Sequence, residues 1–362
     1  MKNHRRIRVL AWMLCAMMLL TLGLAGCGGG NGGASGNGGG SGEGETFTFK
    51  LANLAAEQDP LNVSYRYLKE QLEAKSEGRI KMEIYANKAI SNSDEEQAEM
   101  VRSDMIQMTT CPSYIMAAMN SDLKQFYIYD IPYLFRTDED IYAYGDGEPG
   151  QKMRTELLEK TGNIKAYGPF GIGWVKIMSN KPSLANPAAD FKGQKIRTTS
   201  SEFYMGVASA LGATPTPIAY GEAYTALQQK TVDGIMTSTS LLKSDRFYEV
   251  QSSMACINPF QITHIPIVSN SWYESLPEDL KVIFDECMED YVAHVRQLEE
   301  DAEKDAIKFI ADQGVAVSEY NEEEMQILID LCKPMWDTKA GLVGGKEVID
   351  EAAAFLEEAR AQ

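Results

Sequence analysis

The chain has 362 residues, with 34 Lys and Arg against 52 Asp and Glu, a formal net charge of −18 and 44% hydrophobic residues. So acidic a surface excludes a nucleic-acid-binding role, because phosphate backbones are held by basic patches. The length exceeds what one hydrophobic core organises comfortably and predicts two lobes.

In chain order the first feature is "MKNHRRIRVLAWMLCAMMLLTLGLAGC". It opens on Lys2, Arg5, Arg6 and Arg8, continues as an apolar run from Val9 to Leu24, and ends on Ala25 and Gly26 before Cys27. Basic, then apolar, then small is the order of a secretory signal. Leu24-Ala25-Gly26-Cys27 has the pattern of a bacterial lipobox, so residues 1–26 read as a cleaved lipoprotein signal and Cys27 as the lipidated new N-terminus. A membrane-spanning anchor is the alternative, since the apolar run is nearly long enough to cross a bilayer. Residues 27–45 then form a Gly/Ser-rich tether with no apolar side chain larger than alanine after Cys27, hence nothing to bury. The expected location is extracytoplasmic, lipid-anchored to the membrane, in a periplasm or on the outer face. Cleavage would leave 30 basic residues against the same 52 acidic ones.

The folded part begins with "FTFKLAN" (47–53), a strand, followed by an amphipathic helix from Leu61 to Lys75 with Leu61, Tyr65, Leu68 and Leu72 on one face, and a second strand at 79–86. Strand, helix, strand is the opening of an α/β sheet. A helix over 93–103, a strand through "MIQMTT", helices over 137–144 and 151–161, and strands at "IKAYGPFG" and "WVKIMSN" follow. After a Pro/Gly-rich loop come the strand "QKIRT", a helix over 200–211, an extended "ATPTPI" whose prolines forbid helix, a helix at "YGEAYTALQQK", and strands at "TVDGIMTS" and 262–270. From Pro277 to Gly314 apolar residues recur at helical spacing, with proline at the start and glycine at the stop. Nearly forty residues give roughly 55 Å, longer than one lobe is wide, which predicts a helix spanning both.

Catalytic patterns are lacking. No phosphate-binding loop, HExxH, GxSxG or calcium loop occurs. Beyond Cys27 the cysteines are Cys111, Cys256, Cys287 and Cys332, far apart and without CxxC spacing; with only His264 and His294 beside them in the folded part, no metal site is expected. Disulfide pairing is left open by spacing alone. Both histidines lie on apolar stretches and read as structural, and no cofactor is expected.

The segment "DFKGQKIRTTSSEFYMGVASALGATPTPIAYGEAYTALQQKTVDG" resembles the signature of solute-binding proteins of tripartite ATP-independent periplasmic (TRAP) transporters, of the dicarboxylate-binding-protein-like family. The matching elements are Lys192-Gly193, Lys195-Ile196-Arg197, Leu211-Gly212-Ala213 with Pro215 and Pro217, Glu222 with Tyr224, Ala226-Leu227-Gln228 and Val232-Asp233-Gly234. The likeness extends to "DIPYLF" (130–135), "SNKP" (179–182), "FYEV" (247–250) and "VSNSWYESLPEDLK" (268–281). It implies a two-lobed, Venus-flytrap fold of periplasmic-binding-protein type, with residues 46–172 plus 263–302 as lobe I and 173–262 plus 303–362 as lobe II. Hinge bending is then expected where the chain crosses, at Gly171, Gly173 and near Ile262.

The resemblance also implies a site. Arg197, in the KIR turn, would clamp a ligand carboxylate; a guanidinium offers a planar pair of donors and stays charged at any relevant pH. Tyr220 would line the pocket. Thr237 stands where relatives usually carry asparagine, Trp174 near where sialic-acid binders carry a further arginine, and Tyr114 near a polar pocket residue. These departures favour a smaller or more apolar acid over a heavily hydroxylated sugar acid. The expected function is capture of an organic acid and delivery to TRAP permease subunits, without catalysis, by a monomer. A binding lipoprotein of an ATP-driven importer or a sensor is the alternative, and a secreted hydrolase a more distant one.

Overall fold

A computed structural model describes residues 45–361; the signal segment, Cys27 and the tether up to residue 44 lie outside the described residues. The chain opens as read from sequence. β1 (Phe47–Ala52) leads into α1 (Pro60–Lys75), which starts where the Asp59 carboxylate accepts a hydrogen bond from the Leu61 amide at 3.1 Å and Pro60 takes the first helical position. Its buried face carries Leu61, Tyr65, Leu68 and Leu72. β2 (Ile80–Tyr85) pairs parallel with β1 from Phe47↔Ile80 to Ala52↔Tyr85. Next come α2 (Asp94–Arg102), capped by the Ser93 hydroxyl, β3 (Met108–Pro112), α3 (Ser113–Met119), a 3₁₀ stretch over Ser121–Asp130, α4 (Asp138–Asp146), α5 (Glu148–Thr161) and β4 (Ile164–Ala166).

The second half follows β5 (Phe170–Ser179). It contains β6 (Lys195–Thr198), α6 (Glu202–Ala210), β7 (Thr214–Pro217), α7 (Ala223–Gln228), β8 (Gly234–Ser238), α8 (Thr239–Ser244) and β9 (Ser253–Ala255). β10 (Gln261–Ser269) then returns to the first half. The strand order β2-β1-β3-β10-β5-β8-β6-β7 shows how the halves join. β10 lies antiparallel to β3 and β4, β5 lies antiparallel to β8 and β9, and the two pair with each other between the halves.

That crossing is irregular. The β5–β10 register shifts between Gln261 and Thr263, and Gly173 has φ +100°, a backbone region that glycine enters without steric cost. A Cβ on Gly171 would fall 1.8 Å from the end of the Gln261 side chain, so the Gln261 amide occupies the space that a larger residue at 171 would need. The irregularity coincides with the expected hinge.

After α9 (Asn270–Ser275), α10 (Glu278–Asp312) runs for 35 residues, about 52 Å. It packs on α1 in the first half and on α8 in the second, so it does span both. Its buried stripe includes Leu280, Phe284, Cys287, Tyr291 and Val295 as expected, then passes through Glu299, Ala306 and Ile310, while Leu298 and Ala302 are only half-buried.

β11 (Ala316–Ser318) pairs parallel with β9, and four helices that the sequence reading did not anticipate close the chain: α11 (Glu322–Cys332), α12 (Met335–Thr338), α13 (Ala340–Val343) and α14 (Lys346–Arg360). α14 packs against α4, and Arg360 donates to both Asp140 oxygens at 2.8 and 2.6 Å. The Trp336 indole donates to the Pro132 carbonyl at 2.8 Å. α13 and α14 thus lie against first-half elements, whereas α11 packs on α6 and Lys339 pairs with Glu202 at 2.7 Å in the second half; the boundaries read from sequence place all of 303–362 in the second lobe. Cys111, Cys256, Cys287 and Cys332 are buried and unpaired.

Candidate functional site

A cavity of about 330 Å³ lies between the halves, within the range of small-ligand pockets. The first half contributes the loop after β1, the start of α2 and the β3–α3 junction; the second contributes the end of β6, the β7–α7 connection and β8; Ile172, Ile262 and His264 line it from the crossing strands. Strand ends on either side of a crossing form a crevice because the chain diverges there.

Arg197 is the centre of this site. It sits on β6 between β7 and β8, in register with Thr216 and Ile235, so strand pairing on both sides fixes its backbone. The residue is 2% exposed. Its Nε donates to the Ile218 carbonyl at 2.9 Å, and its guanidinium carbon lies 5.4 Å from the centre of the Tyr220 ring. Among the described residues the two terminal nitrogens find no hydrogen-bond partner and no carboxylate within 4.0 Å. Burial lowers its pKa, and the nearby Tyr114, Tyr220, Tyr204 and Asp94 act against that fall. A buried, unpaired cation is costly, and an anion entering the cavity would relieve that cost.

The structure brings three other expected residues to the same cavity. The half-buried Tyr220 donates its hydroxyl to the Asp245 carboxylate, which anchors the ring beside Arg197. Tyr114 is 9% exposed at the start of α3 and meets Tyr204 edge-on at 6.1 Å; burial raises both phenols well above their usual range, so each stays protonated and able to donate. Thr237 is buried on β8.

Trp174 does not join them. Its indole donates to Asp138 at 2.7 Å, its backbone N–H to Glu303 at 3.2 Å, and it lines a second cavity with Lys176 and Glu303. In a regular strand residues 172 and 174 share a face. Ile172 does line the ligand cavity, but the left-handed φ at Gly173 and the register shift beside it interrupt the alternation and turn Trp174 away.

Other lining residues escaped the sequence reading. Tyr204 lies in the first turn of the helix that follows the KIR strand, and that short spacing could have flagged it. His264, read as structural, is buried on β10 with Nδ1 3.4 Å from the Thr110 hydroxyl, and burial lowers its pKa to about 3, leaving the ring neutral. Asp94 and Glu95 open α2 and also line the cavity; in a chain with 52 acidic residues nothing in the sequence distinguishes them.

Two lobes joined by crossing strands, with an enclosed cleft built around an unpaired guanidinium, define the architecture of an extracytoplasmic solute-binding protein. Residues 51–341 match the family described as bacterial extracellular solute-binding protein, family 7 (DctP), and the chain belongs to it. Among curated proteins it is similar to the C4-dicarboxylate-binding periplasmic protein DctP of Rhodobacter capsulatus, 26% identical over 309 residues that cover 85% of this chain and 91% of the relative. It is also similar to the sialic acid-binding periplasmic protein SiaP of Vibrio cholerae, 26% identical over 70% of this chain and 77% of that one. Its fold matches a sugar acid binding protein from Advenella mimigardefordensis in complex with galactonate, with a TM-score of 0.81, 23% identity, and coverage of 87% of this chain and 99% of the other. A TRAP periplasmic solute-binding protein from Shewanella oneidensis with bound succinate superposes with a TM-score of 0.78 at 24% identity, covering 86% of this chain and 99% of that one. No described helix is long and apolar enough to cross a membrane.

Proposed function

We propose that this protein captures an organic acid outside the cytoplasm and delivers it to a TRAP-type secondary transporter. The observation that carries the reading is the buried Arg197, which lines a cavity between the halves and has no ion-pair partner within 4.0 Å among the described residues. A carboxylate there would receive two parallel N–H donors, with the Tyr114, Tyr204 and Thr237 hydroxyls available around it and Tyr220 packed beside the guanidinium. Closing of the halves over the ligand would exclude water and strengthen the contact. The ligands for which relatives are named or with which they are bound, C4-dicarboxylate, galactonate and succinate, are all carboxylates and support the same class.

Binding needs no catalytic group, and the protein would release its ligand unchanged. The N-terminal signal and Cys27 support attachment of the mature chain to the membrane by lipid, with the glycine-rich segment as leash. A thermal-shift screen against mono- and dicarboxylates, sugar acids and aromatic acids tests the proposal. At least one acid should raise the melting temperature and be recovered intact; no response to any acid, or turnover of one, refutes it.

A further inference from the structure

Charge is distributed unevenly over the cavity. Of the residues that line it, Arg197 is the one cation at neutral pH, because His264 is held neutral by burial. Lys88 also lies over the Tyr220 ring, at 5.6 Å, but it lines a separate groove. Against Arg197 stand two carboxylates from the other half of the fold. Asp94 is a half-buried lining residue, and Glu95 stands at the exposed rim. Neither side chain makes a hydrogen bond or ion pair with any described residue, and neither approaches Arg197 within 4.0 Å. The site therefore sets one cation against two carboxylates that no described side chain pairs, in a lining whose other polar groups, among them Asn92, Ser93 and Thr110, are neutral.

A dicarboxylate would satisfy Arg197 and then place its second negative charge in a cavity with no cation left to receive it. Like charges brought together away from bulk water repel strongly. An acid whose far end carries an ammonium or a hydroxyl would instead supply the donor that the two carboxylates lack. A site built around unpaired polar groups discriminates by the penalty of leaving them unpaired.

We propose that the site selects monocarboxylic acids bearing a hydrogen-bond donor at the far end, with Asp94, supported by Glu95, as the residue that rejects a second carboxylate. This rests on the reading of Arg197 as a carboxylate clamp. Asp94 and Glu95 are then specificity-determining residues, and a C4-dicarboxylate is a poor ligand for this chain even though relatives are named for it.

The test uses the purified full-length protein and matched series of C4 and C6 acids that differ only in the terminal group: methyl, hydroxyl, ammonium or carboxylate. Calorimetric titration at pH 8 keeps Asp94 ionised, since burial and neighbouring Glu95 raise it to about 7 while Arg197 acts in the opposite sense. The expected result is that at one length the hydroxyl or ammonium acid binds at least tenfold tighter than the dicarboxylate. Asp94→Asn should narrow or reverse that ratio, and Glu95→Gln should move it the same way by less, with unliganded melting temperatures checking that both variants fold. The hydroxyl and ammonium arms decide whether the donor is neutral or cationic. Equal or tighter dicarboxylate binding at both lengths by the wild type, abolished by Arg197→Ala, would overturn the selectivity and leave the clamp intact. If Asp94→Asn tightens every acid equally, methyl-ended ones included, Asp94 merely competes for Arg197 and the selectivity fails. Binding of none of the acids would overturn the clamp and this inference together.

Discussion

Replacing Arg197 by alanine separates a ligand clamp from a structural ion. In the unliganded protein this side chain gives one hydrogen bond to the Ile218 carbonyl and lies 5.4 Å from the centre of the Tyr220 ring. Those interactions are worth about 1 kcal/mol and about 0.5–2 kcal/mol respectively. Against them stands the cost of holding a charge 98% out of solvent without a partner, several kcal/mol for an ion in a protein interior. The two nearly cancel, so the unliganded variant should melt within about 5 °C of the wild type. Ligand binding has no such cancellation. Loss of a bidentate, charge-assisted contact in an enclosed site costs about 2–4 kcal/mol, which at about 1.4 kcal/mol per decade weakens the Kd roughly 30-fold to several hundred-fold. Arg197→Lys keeps the charge but loses the planar fork, and should fall between the two, roughly tenfold below wild type. Titration calorimetry with the best-binding acid, together with a melt of each unliganded protein, measures both quantities. A Kd within threefold of wild type alongside a large drop in unliganded stability would refute the assignment.

Burial raises Asp130 to about 8, and its Oδ2 has no hydrogen-bond partner. An unfolded aspartate loses its proton near pH 4, so the native state binds the extra proton up to about pH 8 and Asp130 destabilises progressively as pH rises through that window. His264 opposes this trend only up to its unfolded value of about 6.5. Asp94, raised to about 7, and Glu299, raised well above its usual value by burial, act in the same sense as Asp130. Between pH 6.5 and 8 wild-type stability should therefore fall, and Asp130→Asn should make the slope shallower; denaturant titrations that show stability rising over this window would contradict the assignment. Gly173→Ala forces an L-residue to φ +100° with its Cβ 3.2 Å from the Ser238 side chain, and should cost about 1–3 kcal/mol; a variant as stable as wild type would show that the crossing relaxes freely. For the anchor, Cys27→Ser should move the protein from the membrane fraction to the soluble one, and continued membrane retention would argue against lipidation at that residue.

Elements with a strong period were legible in the sequence. The Leu61–Tyr65–Leu68–Leu72 face and the stripe from Leu280 to Val295 each repeat at helical spacing and bury as expected, because a long helix offers many positions that must agree. The closing helices were not read. α12 and α13 have four residues each, too short for a period to show, whereas α11 and α14 do carry apolar residues at helical spacing, such as Ile349, Ala352 and Leu356, and were legible in a stretch left without assignment after Gly314. In the site, Arg197 was found through the order of its flanking motif, which sequence preserves. Trp174 was misplaced because a single left-handed glycine breaks strand alternation, and a backbone torsion leaves no mark beyond the glycine itself. Asp94 was missed because its place in the cavity lining comes from tertiary structure alone.

The way β5 and β10 pass through both halves bears on how the molecule comes apart. Neither half can be excised without stripping a long interior strand of neighbours on one side, and α10 would lose its packing at one end. Unfolding by heat should therefore appear as one calorimetric peak whose van't Hoff and calorimetric enthalpies agree, and an isolated fragment comprising residues 173–262 should not fold on its own. Any opening and closing would then proceed by twisting a continuous sheet at its irregular crossing, as a flexed sheet and not as two beads on a string.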